Sequence, residues 1–78
     1  SDWTNPKIAE DVNADGFVTP IDALILINRL NEVGSHALPI LTGNTMPPPY
    51  YDSSGDANLS PLDALVVINY LNLRSSRR

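Results

Sequence analysis

Apolar residues recur twice along the chain with the period of a helix. Ala23, Leu26, Ile27 and Leu30 fall at i, i+3, i+4 and i+7, and Ala64, Val67, Ile68 and Leu71 repeat that spacing. Each segment therefore predicts a helix with one stripe for packing, and the two stripes are expected to pack together. Both belong to a longer internal repeat, because 18–31 aligns without a gap on 59–72 with eight of fourteen positions identical. Thr19 and Ser60 suit the N-cap, Pro20 and Pro61 the first helical position, and Asp22 and Asp63 the third, near the positive helix end. The helices are expected to end near Asn31 and Asn72, with Val33-Gly34-Ser35 breaking the first and a basic tail from Arg74 to Arg78 following the second.

The rest of the chain is irregular by composition. A connector at 32–51 holds Gly34, Pro39, Gly43 and the run Pro47-Pro48-Pro49, which predicts an extended polyproline stretch near its end and room for one helical turn around 36–41. Ahead of the first repeat, Trp3 is expected to cover an edge of a small core. We read 1–78 as one domain, with repeats at 11–31 and 52–72. A domain of this size gains only about 3–5 kcal/mol from its core, and without cysteine it has no disulfide to add, so a metal or a partner is needed.

Charge narrows the choice. The formal net charge is −4, and six of the nine acids fall in two clusters, Asp11/Asp15/Asp22 and Asp52/Asp56/Asp63. No basic face is available for nucleic acid, no apolar run is long enough to span a membrane, and no signal-peptide pattern opens the chain, so a soluble module is expected.

The first cluster places Asp11, Asn13, Asp15, Thr19 and Asp22 at loop positions 1, 3, 5, 9 and 12, with Gly16 at position 6. Ca²⁺ takes six to eight oxygens, and this EF-hand spacing wraps the backbone so that they converge. Asp11, Asn13 and Asp15 are the expected side-chain ligands, Phe17 ligates through its carbonyl, Thr19 directly or through water, and Asp22 through both oxygens. A capping box explains Thr19 and Asp22 but leaves the alternating Asp11, Asn13 and Asp15 without a role. The second loop offers Asp52, Ser54, Asp56, Asn58, Ser60 and Asp63. It is expected to be the weaker of two sites, because Ser54 replaces an amide and Ala57 stands where glycine is wanted, at a cost of about 1–2 kcal/mol. Val18 and its counterpart Leu59 are expected to pair in a short ladder between the loops. Two bound ions would bring the net charge to zero and complete the fold.

Opposite the packing stripe the first helix carries Ile21, Leu24, Ile25 and Asn28, and the second carries Leu62, Leu65, Val66 and Asn69. Helices apolar nearly all round in so short a chain point to a protein partner. Catalysis is not expected: His36 is the only histidine, no nucleophile accompanies it, and the acids are spaced for a cation, so neither an enzyme nor a small-molecule substrate is read here. A calmodulin-type sensor needs a helix leading into each loop, which the prolines ahead of both loops remove. A calcium-stabilised spacer or adhesion module with a different partner is the remaining alternative.

The Asp-x-Asn-x-Asp-Gly loop, which reads Asp-x-Ser-x-Asp-Ala in its second copy, and the repeated Asp-Ala-Leu, Ile-Asn and Leu pattern, with a calcium loop directly before each helix, resemble a divergent type I dockerin module over 11–31 and 52–72. The resemblance implies an all-α fold of two antiparallel helices, each preceded by an EF-hand-type loop, and binding to a cohesin module of a scaffolding or surface protein. It also implies an extracellular or cell-surface location and anchoring of a parent protein, often a polysaccharide hydrolase, into a cellulosome-like assembly. Recognition residues of that family carry over to Pro20 and Ile21, Pro61 and Leu62, and then Leu24, Asn28, Leu65 and Asn69. The best-known pattern has small hydroxyl residues where Pro20, Ile21, Pro61 and Leu62 stand, so a more hydrophobic complement is expected here. Two similar faces imply docking in two orientations related by about half a turn.

Overall fold

The computed structural model describes residues 2–75. Its elements run α1 (Pro20–Val33), β1 (His36–Ala37), β2 (Asn58–Leu59) and α2 (Pro61–Ser75). Both helices begin where their signals place them. Thr19 is extended at φ −134° and ψ 170°, Pro20 takes the first helical position, and Asp22 Oδ2 accepts the Thr19 N–H at 2.8 Å. At α2 Asp63 Oδ2 accepts the Ser60 N–H at 2.9 Å in the same way. Both helices outrun their expected ends, reaching Val33 and Ser75. Gly34 stops α1 at φ 77°, where its N–H donates to Leu30 O at 2.8 Å. Arg74 belongs to α2 rather than to a tail, and the rest of the expected basic tail beyond Ser75 lies outside the described residues.

The helices pack on each other around a core of Val12, Ala23, Leu26, Leu59, Ala64 and Val67, fringed by Val18, Ile25, Leu30, Leu38, Tyr51 and Leu71. Ala23 and Ala64, and Leu26 and Val67, are repeat-related pairs, so the duplication is a duplication of the core. Ile27 and Ile68 correct the predicted stripes, since both are exposed. Each helix meets a single neighbouring helix, which leaves a buried strip centred on Leu26 or Val67 and puts the next position at its edge.

The helical fold expected from the sequence is present, with a small two-stranded sheet in addition. β1 and β2 pair antiparallel with His36 opposite Leu59 and Ala37 opposite Asn58, and Leu38 N–H donates to Ala57 O at 2.9 Å. Leu59 therefore pairs with His36 instead of Val18, which sits at the fringe of the core. Gly34 turns the chain back directly after α1, so the connector reaches the second loop and supplies the strand; 36–41 accordingly forms no helical turn. The 47–49 run is not an extended polyproline stretch, as the chain bends at Pro48 and Pro49. Between these segments Thr42 and Thr45 exchange backbone hydrogen bonds of 3.2 and 3.1 Å across a tight turn. Trp3 is buried as expected; its Nε1–H donates to Pro39 O at 2.7 Å and its ring lies 5.9 Å from that of Tyr51.

Candidate metal centre

Each acidic loop curls around its own first aspartate. Asp11 is buried and accepts the N–H groups of Asp15 at 3.3 Å and Gly16 at 2.9 Å. Asp52, also buried, accepts those of Gly55, Asp56 and Ala57 at 2.9, 3.1 and 2.6 Å. The last aspartate closes each loop from the helix. Asp22 Oδ1 accepts Val12 N–H at 2.8 Å and Asn13 N–H at 3.1 Å, while Asp63 Oδ1 accepts the Ser54 N–H and hydroxyl, each at 3.0 Å. Asp22 and Asp63 thus cap a helix with one oxygen and hold the loop with the other. At position 5, Asp15 and Asp56 are exposed and accept the N–H two residues on, at 3.0 Å in both loops.

Two residues per loop take the left-handed conformation that the curl requires. In the first they are Ala14 at φ 59° and Gly16 at φ 89°; in the second, Gly55 at φ 85° and Ala57 at φ 64°. Alanine and glycine have exchanged places between loop positions 4 and 6. The strain expected of Ala57 is real, but Ala14 imposes a like cost on the first loop. It therefore gives no reason for the second site to be the weaker, and only Ser54 in place of Asn13 still argues that way.

Asp52, Asp56 and Asp63 each offer an oxygen within 4.8 Å of the others, the one such group of three among the described residues. Oxygens held at about 2.4 Å from a common ion can be no farther apart than about 4.8 Å, so this group matches the reach of Ca²⁺, and its all-oxygen donor set suits a hard cation. Ser54 Oγ lies 3.4 Å from Asp52 Oδ1 and 3.0 Å from Asp63 Oδ1, while Asn58 and Ser60 complete the loop, exposed and half-buried respectively. Burial pushes the Asp63 carboxyl above its ordinary value and the Asp52 charge adds to this, against the downward pull of the Ser54 and Ser60 hydrogen bonds. In the first loop Asn13 and Thr19 are half-buried and the Phe17 side chain is exposed. The Thr19 hydroxyl is buried without a hydrogen-bond partner among the described residues. A cation ligand at that position would satisfy it.

The outer helix faces are nearly matched. Ile21, Leu24, Leu62 and Leu65 are 57, 52, 49 and 50% exposed, and Pro20, Asn28, Pro61 and Asn69 are exposed beside them. Ile25 and Val66 are half-buried, Ile25 at the fringe of the core. The exposed Ile27 and Ile68 extend the two apolar faces instead.

Sequence reasoning missed the attachment of the N-terminal segment. Asp52 N–H donates to Trp3 O at 3.1 Å, the Thr4 hydroxyl donates to Asp52 O at 2.5 Å, and Asn5 Nδ2 donates to Asp11 O at 2.9 Å. Asn5 Oδ1 in turn accepts Lys7 N–H at 2.9 Å. An asparagine two residues before a turn amide is the one local signal of this arrangement.

A family model described as the dockerin type I domain matches residues 9–72. Comparison with curated proteins and with solved structures found no match.

Proposed function

This chain belongs to the dockerin type I family, and from that premise we propose that it anchors its parent protein to a cohesin module outside the cell, in a cellulosome-like assembly. The family binds calcium and docks onto cohesins, and the module is itself non-catalytic. We assign one ion to Asp11, Asn13, Asp15, Thr19, Asp22 and the Phe17 carbonyl, and a second to Asp52, Ser54, Asp56, Ser60, Asp63 and the Asn58 carbonyl. Bound calcium supplies positive charge that offsets the three carboxylates of each loop.

The protein's own residues carry that effect to the docking face. Asp22 and Asp63 grip their loops and cap their helices at once, and Pro20, Ile21, Pro61 and Leu62 occupy the capped first turns. A loop held by its ion keeps these turns intact, whereas repulsion among unscreened carboxylates frays them. Docking is then calcium-dependent although most of the recognition residues are apolar. Ile21, Leu24, Pro20 and Asn28 form one face, and Leu62, Leu65, Pro61 and Asn69 the other. Their equal exposure supports docking in two orientations, with Ile25 and Val66 as backing for the two faces.

The observation that carries this reading is the convergence of Asp52, Asp56 and Asp63 at the start of a helix with exposed Leu62 and Leu65. Calorimetric titration with candidate cohesins tests it: saturable binding in calcium that vanishes in excess chelator supports it. Calcium-loaded chain that binds no cohesin overturns cohesin docking in favour of a spacer or another partner. For the two orientations, Ile21→Asp with Leu24→Asp is compared with Leu62→Asp with Leu65→Asp. Each pair is expected to weaken binding only in part, and loss of all binding through one pair with no effect from the other would exclude a second mode.

A further inference from the structure

We infer that Trp3, Thr4 and Asn5 form a strap that couples the two cation loops, so that filling one loop raises the calcium affinity of the other. The inference rests on the loops binding calcium, as proposed above, and goes beyond it by assigning a role to residues that belong to neither loop. Three consecutive residues hold the first aspartate of both. Trp3 O accepts the Asp52 N–H and the Thr4 hydroxyl donates to Asp52 O, while Asn5 Nδ2 donates to Asp11 O. Asp11 and Asp52 are buried, and each is the residue around which its loop curls, so fixing its backbone fixes the direction of its carboxylate.

The strap is itself anchored at both ends. Trp3 is held by Pro39 O and faces Tyr51; Asn5 is held by the Lys7 and Ile8 amides at 2.9 and 3.4 Å. A shift of the Asp52 backbone therefore reaches Asp11 through two adjacent residues, Thr4 and Asn5. One more bond runs in parallel, from Tyr50 N–H to Val12 O at 2.7 Å, and joins the residue after Asp11 to the approach of the second loop. When one loop is empty its carboxylates repel, its first residue loses its fixed position, and the strap transmits that freedom to the other loop. Thermodynamic linkage makes the effect reciprocal.

The full chain tests this by calcium titration, read by calorimetry and by the emission of Trp3, the only tryptophan. Asp15→Ala disables the first loop and Asp56→Ala the second; both residues are exposed and cap no helix. With the strap intact, disabling either loop is expected to lower the affinity of the other about tenfold, within the usual range of coupling between sites. In Asn5→Ala and Thr4→Val backgrounds the same substitutions are expected to lower it by less than about threefold. Thr4→Val keeps size and shape, so it carries the test alone if Asn5→Ala does not fold. Calcium uptake with unchanged coupling in the strap variants overturns the strap and leaves the loops standing. A chain that takes up no calcium in any form overturns both.

Discussion

Ala14 and Ala57 hold backbone conformations that alanine disfavours, while their partners Gly16 and Gly55 hold the equivalent ones freely. Replacing either alanine by glycine relieves a left-handed Cβ but adds freedom to the unfolded chain. Ala14→Gly and Ala57→Gly are each expected to stabilise by up to about 1 kcal/mol and by similar amounts, as thermal melts in calcium would show. A gain confined to Ala57→Gly would restore the view that the second loop alone is strained.

Asp63 carries the pH dependence. Burial lifts its carboxyl above the ordinary 3.8, so the folded chain binds this proton more tightly than the unfolded chain does. The stability it contributes is fully present below the unfolded value and is lost as pH rises through the raised one. In chelator, melting temperature should accordingly increase on acidification from pH 7 toward this window. In calcium it should fall, because protons displace the ion from Asp63. Parallel trends in both conditions would contradict this account.

The helices show how far the elements could be read. Their start signals are local and chemically specific, so Thr19-Pro20 and Ser60-Pro61 located both N-termini from sequence. The packing stripe was legible in part: Leu26 and Val67 are its centre, but Ile27 and Ile68 fall outside it because a four-residue stripe cannot show how wide a single neighbour makes the contact. Leu26→Ala should cost about 2–5 kcal/mol and Ile27→Ala under about 1 kcal/mol in denaturant unfolding. β1 was hidden because a two-residue strand has no periodicity, and its pairing with β2 depends on where Gly34 sends the chain. The curl of each loop around its first aspartate was legible from spacing, and the proposed ligand sets rest on that same spacing. The strap was not, since Trp3 and Thr4 reach Asp52 across most of the chain.

At the scale of the whole molecule, the small core and the two acidic loops are expected to make folding and ion binding one event. Excess chelator is expected to reduce helical circular dichroism and lower the melting temperature markedly, with both restored by calcium. Identical helicity and melting in the two conditions would mean that the core suffices. The family match spans both repeats and the connector between them, in keeping with this interdependence of the two halves.

The Thr42–Thr45 turn has one more consequence. Gly43 and Asn44 are exposed at its tip, where a backbone is most tolerant of cleavage or insertion. A cut there separates Trp3, Val12, α1 and β1 from Tyr50, Asp52, β2 and α2, the opposite sides of the helix pair, the two-stranded ladder and the bonds from Trp3 and Thr4 to Asp52. Mixed in calcium, the two fragments are expected to reassemble through those contacts, as the halves of a split tag must.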